Sequence, residues 1–387
     1  MNILMISDVY FPRINGVSTS IETFRQELIA RGAKVFLIAP SYGAHENEDD
    51  ITRIPSRTIL FDPEDRIMRY GSITALTEFL RKQKLDLVHI QTPFVAHYAG
   101  KAIAKKLNLP SVVTYHTFFE EYLYHYIPLV PSSWMQALAR RFSRSQCNDV
   151  DAIVVPSSAM ENKLLSYGIN KPIHRIPTGI PLTKLVPGDR AAFRNQHGIS
   201  THRPTLLYVG RVAFEKNLDF LLHAAALAQK EVPDLLLVIA GEGPAEKMLQ
   251  RLTAELHMEQ NVKFVGYLDR QSCLLDCYSA ADAFVFASRT ETQGLVLLEA
   301  MALGLPVVST AVMGTHDIVS AATGAVVAPD NIEGFAREMV RILIDHQLRE
   351  RLAAEAPKNA LEWEAGTMAE KMLALYADVA ARHQQTQ

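Results

Sequence analysis

Two glutamates in the second half of the chain have a spacing that suits a phosphorylated sugar. In the segment ETQGLVLLEAMA, Glu291 and Glu299 lie on either side of Gly294, where a polar loop ends and an apolar helix is predicted to begin. A carboxylate can accept hydrogen bonds from vicinal hydroxyl groups. The free N–H groups of Gly294, Leu295 and Val296 would favour a phosphate. The segment therefore predicts a site for sugar hydroxyl groups beside an anion.

A second segment, GRVAFEKN, supplies Arg211 and Lys216 directly after a predicted strand. A guanidinium offers fixed paired donors and an ammonium offers a point charge, which together suit a diphosphate. The alternative is a pair of solvated surface charges. Neither half of the chain has the pattern GxGxxG after its opening strand, which argues against a dinucleotide-dependent dehydrogenase.

A third segment, FPRINGVSTSIETF at residues 11–24, follows the first apolar run and places Gly16 before an amphipathic stretch. A strand, a glycine turn and a helix start together form an anion site. In the alternative interpretation, Gly16 only turns the chain, Thr19 caps the helix and Glu22 completes a capping box. Both interpretations predict a helix here.

Apolar runs alternate with helical patterns along the whole chain and must position these segments. NILMISDV, AKVFLIAP and LDLVHIQ come early, and the alternation restarts with TLLYVGRV and DLLLVIAG after a polar stretch. This pattern predicts an α/β fold with two Rossmann-like, doubly wound parallel-sheet domains. Ligands of such sheets bind beyond the carboxyl ends of the strands, so we expect the site in the cleft that the two domains face. We place the domains at 1–178 and 179–362, followed by a final helix at 363–387.

Composition and charge exclude several classes of protein. With 387 residues, 48% of them apolar and 21% charged, the chain is globular and large enough for two cores. A net charge of −3 argues against nucleic acid as a partner. No apolar run reaches the roughly 18 residues of a transmembrane helix, and the first residues lack the basic region of a signal peptide, so we expect a cytoplasmic protein. The cysteines, histidines and carboxylates show no metal-ligand spacing, so we expect neither a metal nor a cofactor.

Taken together, these motifs resemble those of the retaining GT-B glycosyltransferases of family 4, over essentially the whole chain. That family's pattern of two glutamates separated by seven residues is matched by Glu291 and Glu299, and its phosphate-binding pair by Arg211 and Lys216. Its glycine loop in the first domain corresponds to ING, and its active-site histidine in that domain to His116 in TYHT. The resemblance also implies that the last helix crosses back to the first domain.

The resemblance implies a nucleoside-diphosphate sugar as donor substrate, held mainly by the second domain, and transfer with retention but without a metal. Glu299 would bind the ribose hydroxyls, Glu291 the transferred sugar, and His116 would position the sugar or the acceptor. A core histidine is the alternative for His116. The family often has a second glycine in the first loop, where this chain has Asn15. The implied contacts of the diphosphate are Arg211, Lys216 and residues 294–296, with the base near Tyr267 and the first-domain loop at Gly16.

The acceptor is suggested by HTFFEEYLYHYIP, residues 116–128, which resembles the segment of family members that glycosylate diacylglycerol. The next segment, SSWMQALARRFSRSQ, is typical of a basic amphipathic helix. Such a helix could lie on an anionic membrane, and an ordinary solvated surface helix is the alternative. The predicted acceptor and membrane residues are Glu120, Tyr122, Tyr126, Trp134, Arg140, Arg141 and Arg144.

From this resemblance we expect transfer of a hexose, glucose from UDP-glucose, to a membrane glycerolipid such as diacylglycerol. The enzyme would be peripheral on the inner face of the cell membrane. One alternative is a transferase of the same type that acts on a polysaccharide, a polyprenyl-linked sugar or a sugar phosphate. A more distant alternative is a sugar-nucleotide epimerase.

Overall fold

The computed structural model divides the chain into two compact units. The first unit comprises Met1–Gly179 and Ala365–Gln387, and the second comprises Ile180–Glu364. These bounds lie within two residues of the domain limits predicted from the sequence. The structure describes residues 1–43, 50–58, 66–116, 132–269, 273–320 and 322–385, apart from the side chains of 132–136.

The first unit is built on a parallel sheet of seven described strands, in the order β3-β2-β1-β6-β7-β8-β9. Its five inner strands are almost entirely buried, as expected for a sheet covered on both faces, whereas the edge strands β3 and β9 are partly exposed. A short antiparallel pair, β4 with β5, lies outside this sheet. The strands are β1 (Asn2–Ile6), β2 (Lys34–Pro40), β3 (Ile51–Ile54), β4 (Ser56–Thr58), β5 (Arg66–Met68), β6 (Leu87–Ile90), β7 (Ser111–Thr114), β8 (Ala152–Val155) and β9 (Ile173–Arg175).

Helices connect these strands, and the last helix of the chain also belongs to the first unit. The helices of this unit are α1 (Gly16–Ala30), α2 (Tyr70–Ala75), α3 (Thr77–Lys82), α4 (Val95–Leu107), α5 (Ser132–Asn148), α6 (Ser158–Ser166) and α14 (Ala365–Gln385). Met368, Met372 and Tyr376 of α14 join Ile21 and Phe24 of α1 in one buried cluster. The prediction that the final helix crosses back to the first domain is therefore confirmed.

Helix α1 begins earlier than one sequence interpretation predicted. Asn15 is the N-cap, and its side chain accepts a hydrogen bond from the N–H of Ser18 at 2.8 Å. The prediction of Thr19 as the cap was wrong, because a short amide side chain four residues upstream already satisfies the free N–H. Glu22 instead accepts a hydrogen bond from the phenol of Tyr10.

The second unit has a parallel sheet in the order β12-β11-β10-β13-β14-β15. The strand order reverses between β10 and β13, which makes their carboxyl ends the switch point where such sheets bind ligands. The strands are β10 (Thr205–Val209), β11 (Leu236–Ala240), β12 (Val262–Gly266), β13 (Ala283–Phe286), β14 (Val307–Ser309) and β15 (Ala325–Val327). The helices are α7 (Arg190–Gln196), α8 (Leu218–Ala228), α9 (Glu246–Glu255), α10 (Cys273–Ala280), α11 (Leu295–Ala302), α12 (Ile332–Ile344) and α13 (His346–Leu361).

The polar stretch between the two series of strands contains helix α7, which the sequence pattern did not predict. Phe193 and Arg194 of α7 are both buried. Arg194 donates a hydrogen bond to the carbonyl of Ala280 at 2.9 Å and lies 3.4 Å from the carboxylate of Asp282. A buried arginine that holds several oxygen atoms explains why so polar a segment packs against the unit.

Candidate functional site

The loops after β10 and β13 meet at the switch point of the second unit. Lys216 lies in a 3₁₀ turn, Phe214–Lys216, and Glu291 lies in the loop after β13. The Nζ atom of Lys216 is 2.5 Å from Oε1 of Glu291, and the side chains are 21% and 19% exposed. The structure thus brings together a cation and a carboxylate that the sequence analysis assigned to one ligand.

Two further hydrogen bonds hold these loops side by side. Asn217, in the left-handed conformation with φ of 58°, donates its side-chain N–H to the carbonyl of Ala287 at 3.0 Å. The hydroxyl of Thr290 donates to the carbonyl of Glu215 at 3.2 Å. Because both bonds cross between the loops, they fix the lysine and glutamate side chains relative to each other.

Gly294 is the N-cap of helix α11 and has a φ of 101°. A Cβ atom at this position would lie 2.8 Å from Cδ1 of Leu297 and 3.0 Å from Cγ2 of Thr315. Glycine is therefore required both by the backbone conformation and by the space around it. The first N–H groups of a helix, here those of Leu295 and Val296, have no acceptor within the helix, so this end of α11 favours an anion.

Glu299 is buried, with 5% of its surface exposed, on the second turn of α11. The phenol of Tyr278 in α10 donates a hydrogen bond to its Oε2 atom at 3.1 Å. A buried carboxylate needs such donors, since burial without them is costly. The sequence analysis missed Tyr278, which lies 21 residues away on another helix.

Arg211 and Tyr267 follow strands β10 and β12, which lie on either side of β11 in the sheet. The phenol of Tyr208 donates to the carbonyl of Arg211 at 3.2 Å. Burial raises the pKa of Tyr208 well above its ordinary value, and the nearby carboxylates of Glu291 and Glu215 raise it further, so the phenol keeps its proton. Tyr267 is 52% exposed, so its ring lies open to solvent at the sheet edge where the base was predicted.

The loop after β11 was not among the predicted site residues. A Cβ atom at Gly241 would lie 2.0 Å from the carbonyl oxygen of Gly210, so the backbones of these two loops can approach only because glycine is present. Glu242 accepts a hydrogen bond from the N–H of Tyr267 at 3.3 Å. The signal for this loop was the GEG that follows the apolar run DLLLVIA.

In the first unit, His116 follows β7 and is partly buried. Its Nε2 atom lies 3.0 Å from Oε1 of Gln91. Burial lowers the pKa of His116 to about 4, so the imidazole is neutral at physiological pH. The histidine also lines a small opening with Gln91, Pro93, Gln146 and Cys147.

Behind His116 lies a buried chain of polar side chains. The Nε2 atom of Gln91 is 3.1 Å from Nδ1 of His89, which is also 2.6 Å from the phenol oxygen of Tyr376 in α14. The Nε2 atom of His89 is 2.7 Å from the hydroxyl of Thr114. Burial lowers the pKa of His89 to about 3, so this ring is also neutral. The signal for this chain in the sequence was a His and a Gln two residues apart at the end of an apolar strand, LDLVHIQ.

Asp8 occupies the corresponding switch point of the first unit, between β1 and β6. Its carboxylate accepts hydrogen bonds from the hydroxyl of Thr92 at 2.8 Å and from the N–H of Ala96 at 3.1 Å. Burial raises its pKa to about 6, although these hydrogen bonds act in the opposite direction. Gly16 opens α1 nearby in the sequence, and a Cβ atom there would meet nothing within 4 Å.

Comparison with known proteins identifies the family. Residues 14–184 match the family model Glycosyltransferase Family 4, and residues 189–359 match Glycosyl transferases group 1. An alpha-monoglucosyldiacylglycerol synthase of Streptococcus pneumoniae is 35% identical over 319 residues, which cover 80% of this chain and 71% of that protein. The chain belongs to glycosyltransferase family 4. Its predicted activity as a glycosyltransferase is confirmed, and the epimerase alternative does not apply.

The names of two other relatives of the transferase state different sugars. An alpha-monoglucosyldiacylglycerol synthase of Acholeplasma laidlawii is 30% identical, covering 80% of each protein. A GDP-mannose-dependent alpha-mannosyltransferase of Corynebacterium glutamicum is 28% identical, covering 99% of this chain and 90% of that one. These names agree on glycosyl transfer but not on the sugar, which is glucose in the synthase and mannose in the mannosyltransferase.

Solved structures establish the fold of the transferase as GT-B. Sucrose-phosphate synthase from Thermosynechococcus elongatus matches with a TM-score of 0.80 at 23% identity, covering 98% of this chain and 99% of that chain. Anabaena HepE in complex with UDP-glucose matches with a TM-score of 0.78 at 17% identity, covering 98% and 100%. The predicted fold class is confirmed.

The predicted acceptor residues of the transferase are only partly covered by the structure. Glu120, Tyr122 and Tyr126 lie outside the described residues, as does the side chain of Trp134 within α5. Arg140, Arg141 and Arg144 are exposed on α5. The guanidinium of Arg140 lies over the ring of Tyr167, 5.9 Å from its centroid, which gives this arginine a packing role as well.

The described residues contain neither a cluster of metal-ligating side chains nor a membrane-spanning helix. Within residues 1–43, 50–58, 66–116, 132–269, 273–320 and 322–385, no three His, Cys, Asp or Glu side chains are arranged to hold a metal ion. Across the same ranges, no helix has the length and apolar character needed to cross a bilayer.

Proposed function

We propose that the transferase moves glucose from UDP-glucose to a membrane glycerolipid such as diacylglycerol, with retention of the anomeric configuration. The observation that carries this proposal is the 35% and 30% identity to two alpha-monoglucosyldiacylglycerol synthases. The geometry at the switch point of the second unit supports the choice of a nucleoside-diphosphate sugar as donor. A cation, two carboxylates and a helix N-terminus lie near the carboxyl ends of β10 and β13.

In the proposed reaction, the bond between the sugar and the diphosphate breaks and negative charge grows on the departing UDP. Lys216, Arg211 and the first N–H groups of α11 would stabilise that charge where it develops, which lowers the barrier without a metal. Lys216 would exchange its contact with Glu291 for one with the diphosphate. Glu291 would then be available to the hydroxyl groups of the transferred sugar, and Glu299 to those of the ribose.

Retention is proposed to follow from attack on the face that UDP leaves. The departing phosphate would take the proton of the acceptor hydroxyl as the new glycosidic bond forms. A retaining hydrolase instead uses two carboxyl groups about 5 Å apart across the sugar. In this proposal His116 positions a hydroxyl group by hydrogen bonding, because a neutral imidazole has one nitrogen that donates and one that accepts.

The membrane part of the proposal rests on helix α5. Arg141 and Arg144 are exposed there, and Leu138 on the same helix is 65% exposed. A basic side chain near an anionic bilayer contributes about 1 kcal/mol of binding free energy. Three arginines would therefore strengthen binding by roughly 100-fold, and the apolar side chain would add to this.

Vesicle flotation tests the membrane part. We expect the protein to float with vesicles that contain phosphatidylglycerol. The triple change of Arg140, Arg141 and Arg144 to Ala should lower the affinity for these vesicles by about 100-fold. A matched control replaces three exposed arginines on helices of the second unit. These are Arg251, Arg337 and Arg351. Equal flotation of both triple variants would contradict the role of α5.

A donor and acceptor panel tests the chemistry. The protein is incubated with UDP-glucose, UDP-galactose or GDP-mannose, with and without diacylglycerol, and product mass and anomeric configuration are measured. The expected product is an α-glucosyl lipid, formed only when UDP-glucose and lipid are both present. Transfer from GDP-mannose would favour the second candidate, a mannosyltransferase, which the 28% identity over 99% of the chain supports.

A further inference from the structure

The buried chain that begins at Tyr376 allows the hydrogen atoms between it and His116 to be assigned. Tyr376 is fully buried, and its only hydrogen-bond partner in the described part of the chain is Nδ1 of His89, at 2.6 Å. Burial raises the pKa of Tyr376, so the phenol keeps its proton. A buried O–H that donates to nothing is costly, and therefore it donates to His89 Nδ1.

This donation determines which tautomer His89 adopts. Because Nδ1 accepts a hydrogen bond, the single proton of the neutral ring is on Nε2. That N–H points at the hydroxyl oxygen of Thr114, 2.7 Å away, which accepts it. Each nitrogen of His89 thus has a partner of the required kind.

The tautomer of His89 in turn orients the amide of Gln91. The amide atom of Gln91 that lies 3.1 Å from Nδ1 of His89 must be the nitrogen of the N–H₂ group, since the lone pair of Nδ1 would repel an oxygen there. The amide oxygen then faces Nε2 of His116 at 3.0 Å and can only accept. His116 therefore carries its proton on Nε2, and its Nδ1 atom is an acceptor.

We propose that Tyr376, His89 and Gln91 form a positioning relay that holds His116 as the Nε2–H tautomer, with Nδ1 presented to a substrate hydroxyl group. The relay residues touch neither the sugar nor the acceptor; they act through His116. This inference rests on the proposed function of His116 in positioning a hydroxyl group. It also gives the last helix of the chain a part in the site, through Tyr376.

Nitrogen NMR of ¹⁵N-histidine-labelled protein tests the relay directly, because the two tautomers give different ring nitrogen shifts. The His116 signals are assigned by their loss in His116→Gln. We expect one tautomer, Nε2–H, in the unaltered protein and in the control Met372→Leu, which changes the same buried face of α14. Tyr376→Phe and Gln91→Leu should each give a mixture of tautomers at His116.

Kinetics provide the second measurement. Tyr376→Phe should lower kcat by about 10-fold, by analogy with the loss of a group that orients a metal-bound histidine, while the Kd for UDP stays within about twofold. Met372→Leu should leave both unchanged. Persistence of the pure Nε2–H tautomer in both Tyr376→Phe and Gln91→Leu would overturn the relay.

The failure of the relay can be distinguished from the failure of the proposed function. Suppose that His116→Gln transfers sugar at the normal rate, and that Tyr376→Phe still changes the tautomer of His116. The role proposed for His116 is then wrong, but the relay is supported. If His116→Gln loses transfer but the tautomer does not respond to Tyr376→Phe or Gln91→Leu, the relay is wrong and the role of His116 stands.

Discussion

Replacing Lys216 with Met separates the structural and chemical parts of its contact with Glu291. Met keeps the length and apolar stem of the side chain but removes the charge that lies 2.5 Å from Oε1 of Glu291. Both side chains are about one-fifth exposed, so the pair contributes at most about 1 kcal/mol to folding. We therefore expect the unfolding temperature of the second unit to fall by no more than a few degrees.

The expected loss of UDP binding is also modest. A hydrogen bond to a charged group contributes about 1.5–3 kcal/mol, of which about 1 kcal/mol is offset because Lys216 must leave Glu291 when the diphosphate binds. The net loss of roughly 0.5–2 kcal/mol corresponds to a Kd for UDP that is about 2- to 30-fold higher. Isothermal titration calorimetry with UDP measures this value.

The expected loss of turnover is much larger, because the charge on the departing phosphate grows in the transition state. Removing one donor that faces such a charge lowers kcat by about 100- to 1,000-fold. UDP release in the presence of donor and acceptor measures kcat, and Lys230→Met, which alters an exposed lysine of the same unit, is the control. A Lys216→Met enzyme with kcat within twofold of normal would refute this reasoning.

Three further perturbations follow from the structure. Gly294→Ala should destabilise the second unit by about 1–2 kcal/mol, because its φ is 101° and the new Cβ would meet Leu297; thermal unfolding measures this, and an unchanged midpoint would contradict it. Gly16→Val should leave stability unchanged, since a Cβ atom there meets nothing within 4 Å, but should impair transfer far more than UDP binding; equal losses of both would return the glycine to a purely structural role. Acid should destabilise the first unit. Burial lowers the pKa values of His89, His97 and His116 to about 3, 4 and 4, so the stability that they contribute above pH 6.5 is lost as the pH falls towards 4. The raised pKa of Asp8 acts in the opposite direction. Hydrogen exchange from pH 7 to pH 5 should show a net uptake of about two protons on opening this unit, and no change would be inconsistent with these pKa values.

The elements of the donor side could be predicted because their signals are local. A polar loop, a glycine and an apolar helix follow one another within the segment that holds Glu291 and Glu299, and the structure has the helix beginning at Leu295. The contact between Lys216 and Glu291, by contrast, could not be predicted from the sequence. The two residues are 75 positions apart, and they meet because β10 and β13 are neighbours in the sheet, which the alternation of strands and helices does not specify.

The residues that the sequence did not reveal depend on distant partners or on local competition. His89 and Tyr376 are 287 positions apart, so neither residue alone indicates the contact. Helix α7 is short and polar, and its burial depends on Arg194 reaching oxygen atoms about 86 positions away. At the start of α1, Asn15 and Thr19 both have capping side chains, and the chain uses the earlier one.

The return of α14 to the first unit means that this unit is made from two separate stretches of chain. During synthesis, residues 1–179 leave the ribosome long before residues 365–385, because the whole second unit lies between them. The apolar faces of α1 and the sheet that α14 covers are therefore exposed on the nascent chain, where such surfaces attract chaperones or other chains. The first unit can complete its core only after the second has been translated, so the domain that begins first is the last to have its whole sequence available for folding.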